Sequence, residues 1–216
     1  SAPIQGAAPE ELQLNDVLLR LGRVARLYRD SVLSFSCEEK IRDTGLGSGT
    51  YHFQYTYVYD KSKGFLDYRT RPGSDRELDL NSYHIPRILR KAYSWAFIFE
   101  ESRHKLYHYE ILGEDRIADS DALKVRFDPI APYRRELNEW FGTAWIDRES
   151  FQLLRVEAMR ADEYSKWREF REELKKAGRG GETKKKRYLV ERISTEFTVQ
   201  RNGMRFPGRV DIQMYA

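Results

Sequence analysis

Between Thr50 and Asp60 the chain alternates, with Tyr51, Phe53, Tyr55, Tyr57 and Tyr59 on one side and His52, Gln54, Thr56 and Val58 on the other. A period of two is the repeat of a pleated strand, whose successive side chains point to opposite faces. An aromatic at every second position predicts a strand buried on one face along its whole length, and a sheet whose face needs covering. Similar runs predict strands at 35–42, 65–71, 94–100, 105–112, 122–128, 139–147, 151–161, 188–200 and 204–214. Turn residues separate them at Gly45–Gly49, Lys61–Gly64, Pro72-Gly73, Glu101–His104, Gly113–Asp121 and Arg148–Ser150. Asn202-Gly203 between two such runs is a two-residue hairpin signal. The spacing is that of an antiparallel meander of about eleven strands, and a sheet that long must curl.

Helical spacing occurs in fewer places. Leu14, Val17, Leu18, Leu21, Ala25, Tyr28 and Val32 fall on one stripe, which predicts an N-terminal amphipathic helix over 10–33. Residues 82–92 predict a short helix, with Ser82 as N-cap and Pro86 in its first turn. Residues 1–9 read as a flexible terminus, and 163–187 as a charged insertion that ends in glycines and Lys184–Arg187. Within the insertion, 176–186 is the expected first site of tryptic cleavage. With 216 residues the chain suits a single domain over 1–216. The fold class is therefore mainly β (α+β): a curved antiparallel sheet forming an incomplete β-barrel, its concave face covered by the N-terminal helix and one or two short helices.

Composition narrows the function. Lys and Arg number 38 against 34 Asp and Glu, a mixed surface that does not call for nucleic acid. No apolar stretch reaches the ~20 residues that span a bilayer. A removed signal peptide and a removed tag both account for a start at Ser1 without methionine. The single Cys37 has no internal partner for a disulfide, and the adjacent Glu38 and Glu39 raise rather than lower its pKa. The pair Glu38-Glu39 points to opposite faces of a strand and so forms no cooperating acid pair.

Catalytic chemistry has little to work with. His104 and His108 carry a helical zinc spacing, but on a strand four residues span about 13 Å, too far for one ion whose ligands sit at ~2 Å. The chain has no H-E-x-x-H, G-x-S-x-G or P-loop pattern. Gly45, Gly47 and Gly49 precede a strand and not a helix N-terminus. No cofactor, metal or catalytic residue is expected. Lys175, Lys176, Arg179 and Lys184–Arg187 read as a solvated charge run.

The aromatic faces are the more informative feature. Besides Phe53, Tyr55 and Tyr57, the sequence offers Trp95, Phe97 and Phe99 on one expected strand, Tyr107 and Tyr109 on the next, and Phe141 with Trp145 further on. Any one of these reads as core. Together, along the concave side of a curved sheet, they line an apolar cleft wherever the helices leave room.

The segment Gly142-Thr143-Ala144-Trp145-Ile146-Asp147, followed by Leu153-Leu154-Arg155-Val156-Glu157, resembles the central hairpin of the LolA/LolB-like periplasmic lipoprotein carriers. Gly64–Gly73, with its Arg71-Pro72 pair, is similar to that family's strand ending in Arg-Pro, and Phe206–Ile212 to its last strand. The order of elements fits over nearly the whole chain, while the charged insertion at 163–187 departs from the pattern. The resemblance implies an incomplete barrel whose apolar interior receives acyl chains, and a lid-holding role for Arg71. It also implies periplasmic localisation and partner proteins at the inner or outer membrane. The expected function is non-enzymatic binding or transport of lipid, lipoprotein acyl chains or another apolar ligand. The alternative is a structural or interaction module whose cleft is filled by its own helices, and a hydrolase with an unrecognised site ranks third.

Overall fold

The computed structural model describes residues 13–32, 34–44, 49–60, 62–78, 87–130, 139–160 and 190–215. The expected terminus 1–9, the insertion 163–187 and the first half of the expected helix 82–92 lie outside the described residues.

Helix α1, Leu14–Leu27, buries Val17, Leu18, Leu21, Gly22 and Ala25, the stripe that the apolar spacing required. Asp16 in its first turn and Arg26 in its last complement the helix dipole. A π-helical turn, Tyr28–Val32, continues it and buries the Tyr28 ring. Three strands follow: β1 (Phe35–Asp43), β2 (Gly49–Asp60) and β3 (Gly64–Thr70). They form an antiparallel sheet in the order β1-β2-β3. Register sets Phe35 beside Tyr57 and Cys37 beside Tyr55, with Arg69 and Asp67 on the far side of Tyr55 and Tyr57.

The chain then makes a 3-10 helix, Arg87–Phe99, and a second short one, Glu101–Arg103. This corrects the expected strand at 94–100. The alternation of Trp95, Phe97 and Phe99 is real in the sequence, but the residues that bury are Ala92, Trp95, Ala96, Ile98 and Phe99. Their i, i+3, i+4, i+7 spacing is helical, and in a short apolar run the two periods cannot be told apart.

The larger sheet contains β4 (Tyr107–Ile117), β5 (Ser120–Pro129), β6 (Trp140–Asp147), β7 (Leu153–Arg160), β8 (Val190–Glu196) and β11 (Arg209–Tyr215). Its order is β11-β8-β7-β6-β5-β4, antiparallel throughout. Strands β9 (Val199–Arg201) and β10 (Met204–Phe206) pair separately. Their turn has positive φ at both Asn202 and Gly203, the geometry for which Asn-Gly is suited. The expected strands 188–200 and 204–214 are thus each broken in two. At the breaks the Phe197 and Gly208 N–H groups bond to the carbonyls of Leu154 and Glu196 at 2.9 and 2.8 Å. The architecture is mainly β, with curved antiparallel sheets that do not close into a barrel.

One core cluster takes Val17, Leu18 and Leu21 from α1, Tyr55 and Tyr57 from the small sheet, and Trp95, Ile98 and Phe99 from the 3-10 helix. Val125, Phe127, Trp140, Ile146, Val156 and Ile193 enter it from the large sheet. Gly22 lets α1 approach the 3-10 segment closely: a Cβ there would meet Glu101 Cγ at 3.3 Å. The 3-10 helix therefore lies between the two sheets' aromatic faces, with α1 packed against it.

Candidate functional site

The inner face of the small sheet is aromatic because β2 alternates. Phe53, Tyr55 and Tyr57 are buried there. From the 3-10 helix, Tyr93 stacks on Tyr55 with ring centroids 5.0 Å apart, and lies 5.4 Å from Tyr57 and 5.1 Å from Phe35. The inner face of the large sheet presents Tyr107 and Tyr109 from β4, Phe127 from β5 and Trp140 from β6, all buried. Against it the same helix sets Trp95, edge to face with Trp140 at 5.4 Å. Phe99 lies 5.7 Å from Tyr109 and 6.0 Å from Phe127. Phe97 is half-buried against the same core.

The structure thus gathers Tyr55, Tyr57, Trp95, Phe97, Phe99, Tyr107 and Tyr109 in one core, while Phe53 is buried beside Tyr51 on the same strand and outside that cluster. Phe141 and Trp145 are not part of it, which corrects the expectation that all these rings share one surface. On β6 the even positions Trp140 and Ala144 face the core, so the odd ones face the other way. Trp145 packs there with Ala122 and Leu154 in a second small cluster. Lys124 and Arg155 lie over its ring, and its indole N–H donates to Asp115 at 2.7 Å. That hydrogen bond holds the Asp115 carboxyl below the usual range.

Polar contacts tie the covering helices in place. The Trp95 indole N–H donates to the Thr195 hydroxyl at 2.9 Å, and the Tyr109 hydroxyl donates to the Ile98 carbonyl at 2.5 Å. The Tyr28 hydroxyl donates to the Arg205 carbonyl. Between the helices, Arg26 pairs with Glu101 at 3.0 Å and Arg29 with Glu100 at 2.8 Å. The last two join α1 and the 3-10 segment into one cover.

Arg69 on β3 was not anticipated. Its side chain is 1% exposed and lies over the Tyr55 ring, with Cζ 4.5 Å from the centroid. From there it reaches Glu39 on β1 through both Nε and Nη2, and Asp67 through Nη1 at 3.0 Å. Burial disfavours its charge, but the Glu39 and Asp67 carboxylates outweigh that and hold the guanidinium more firmly protonated than usual. No signal along the sequence marks it, because its partner Glu39 is brought near only by strand pairing. Arg71, the expected lid-holding residue, sits exposed just beyond β3. Cys37 faces this cluster half-buried, and burial, then Glu39, push its thiol pKa up.

Two aromatic polar atoms in this core lack a hydrogen-bond partner among the described residues: the Tyr55 hydroxyl and the Trp140 indole N–H. Burial pushes the Tyr55 pKa far up, and the Asp67 charge adds to it. Of the histidines, His104 donates its Nε2–H to the Phe99 carbonyl at 3.0 Å and stands against Tyr109, while His108 is exposed on β4. Among the described residues no group of three or more His, Cys, Asp or Glu is placed to hold a metal ion. No described helix is long and apolar enough to cross a membrane.

No family model and no curated protein matches the chain. Among solved structures it is similar to a LolA superfamily protein from Nitrosomonas europaea, at 15% identity and a TM-score of 0.42, over 94% of this chain and 86% of that one.

Proposed function

We propose that the protein binds the acyl chain of a lipid or lipoprotein, or another apolar ligand of the cell envelope, without covalent chemistry. The observation that carries this reading is the nature of the cover. Trp95, Phe99 and Tyr93, which fill the space between two aromatic sheet faces, are held on a 3-10 helix of 13 residues. Such helices have poorer hydrogen-bond geometry than α-helices and rarely run beyond a turn, so this one depends on its packing more than on its backbone. A ligand that replaces the packing replaces most of what keeps the helix there. Each methylene buried contributes ~0.8 kcal/mol, so a chain of about ten would offset the loss of two or three ring contacts. The chain would lie against Phe53, Tyr55, Tyr57, Tyr107 and Tyr109, with Trp95, Phe97 and Phe99 moving out together. The sequence resemblance supports a periplasmic setting and delivery to or from membrane partners.

A specific observation favours the second reading, a structural module with a permanent cover. The Trp95–Thr195 and Tyr109–Ile98 hydrogen bonds are buried ties between the 3-10 helix and the large sheet. Binding of an apolar fluorescent probe separates the two. A carrier takes up the probe with a change in tryptophan emission, and native mass spectrometry of protein from its own cell envelope finds lipid adducts. Protein that takes up no probe even when the cover is loosened by Thr195→Val sinks the carrier reading and leaves the module.

A further inference from the structure

We infer that the Trp140 indole N–H is a binding group for an acceptor oxygen of the ligand, which makes the cargo an acyl ester or amide and not a bare hydrocarbon. This rests on the carrier reading above and deepens it. Trp140 is 3% exposed, at the start of β6 on the core face, and its Nε1 has no partner among the described residues. An indole nitrogen donates and never accepts, so only an acceptor can satisfy it. The ring it meets is Trp95, edge to face at 5.4 Å, and an indole side chain has no acceptor nitrogen or oxygen to give. The Tyr107 hydroxyl, the polar group at hand, already takes the Trp140 backbone N–H at 3.4 Å.

The same core leaves the Tyr55 hydroxyl unmet on the small sheet, under the Arg69 guanidinium, but meets the polar groups nearer the 3-10 helix. Trp95 Nε1, Tyr109 Oη and Tyr28 Oη all have oxygen partners. The unmet indole donor packs against Trp95, the residue that must leave for a ligand to enter. Displacing Trp95 opens the space beside Trp140 and exposes the N–H to whatever takes its place. A hydrocarbon there leaves the donor unmet. An ester or amide carbonyl at the head of an acyl chain meets it while its chain runs on over Tyr107, Tyr109 and Phe127. The carbonyl of a fatty acyl group is the simplest chemistry that does both.

The test compares two probes on the full chain: the dodecanoyl ester of pyrenemethanol and the chain-matched dodecyl ether, titrated by pyrene fluorescence. A hydrogen bond to a buried donor is worth about a tenfold preference for the ester carbonyl. Trp140→Phe, which keeps an aromatic ring, is expected to abolish that preference by weakening the ester alone. Trp95→Phe is expected to retain it. Equal binding of both probes by the unmodified protein overturns the inference and leaves the carrier reading standing, with no dependence on how the variants fold. Preference that survives Trp140→Phe also overturns it. Binding of neither probe overturns the carrier reading and this inference with it.

Discussion

The Trp95 indole donates to the Thr195 hydroxyl at 2.9 Å, with both groups buried and a hundred residues between them in sequence. Strand β8, which holds Thr195, lies between β7 and β11 in the large sheet, so the bond pins the 3-10 helix to an inner strand beside the sheet's β11 edge. Thr195→Val keeps the shape and removes the acceptor, leaving the Trp95 N–H buried and unmet. The expected cost is about 1–3 kcal/mol of stability in urea unfolding. Thr195→Ser, which restores an acceptor, is expected to recover most of it. Under the carrier reading, the Val variant also takes up an apolar probe faster than the unmodified protein. Equal stability for all three would mean that the bond is not made in solution.

The buried cation gives a second contrast. Removing Arg69 leaves Glu39 and Asp67 facing each other's charge with their shared partner gone. Arg69→Met is expected to lose about 3–5 kcal/mol, because an ion pair broken on one side leaves its other side uncompensated. Arg71→Ala, at an exposed position beyond the strand, is expected to change stability by less than about 1 kcal/mol. Thermal melts of the two variants decide it. A larger loss at Arg71 than at Arg69 would overturn this ranking.

These contrasts mark where the sequence was legible. The strand at Tyr51–Tyr59 was readable because nothing but a pleat uses a strict period of two over so many residues. Helix α1 was readable because Val17, Leu18, Leu21 and Ala25 repeat at 3.6. The segment around Trp95 was not, since its apolar run satisfies both periods and tertiary packing chose between them. Trp140 escaped notice because it stands at a strand end, where alternation has just begun. Trp145 was visible, but its face was not: the large sheet has a small apolar cluster on its outer side, so an aromatic on β6 does not identify the inner one. Arg69 reads as solvent-facing in any one-dimensional pattern. Its burial depends on Glu39, two strands over, which only pairing brings near.

Acid should find a weak point at the hairpin between β6 and β7. Burial raises the pKa of Asp147. Hydrogen bonds from the Ser150 N–H and hydroxyl, both at 2.8 Å, and from the Glu149 N–H at 3.2 Å outweigh it, and Arg205 adds to them. The net shift is downward. The folded protein therefore binds this proton more weakly than the unfolded chain, and Asp147 contributes stability that is fully present above the unfolded pKa of ~3.9. That contribution is lost as pH falls through the lower, folded value. Asp147→Asn is expected to reduce stability at pH 7 and to flatten its decline in acid. Unfolding midpoints measured from neutral pH downward check this, and parallel curves for the two proteins would refute it.

One substitution should act with opposite signs at two tyrosines of the same core. The Tyr109 hydroxyl donates to the Ile98 carbonyl, tying β4 to the 3-10 helix. Tyr109→Phe removes that donor and leaves a buried carbonyl short of a partner, an expected loss of about 1–3 kcal/mol. The Tyr55 hydroxyl is fully buried and has no partner among the described residues, so the folded state already bears the cost of stripping it of water. Tyr55→Phe removes the group that bears that cost and keeps the ring, which still stacks on Tyr93 and still lies under the Arg69 guanidinium. The expected change is neutral to a gain of roughly 1 kcal/mol. Both variants bury the same ring as before, so the hydrophobic contribution cancels in the comparison and the hydroxyl's partner alone sets the sign. Urea unfolding of the two proteins side by side reads it directly. A loss at Tyr55 as large as that at Tyr109 would mean that the Tyr55 hydroxyl holds a partner in solution.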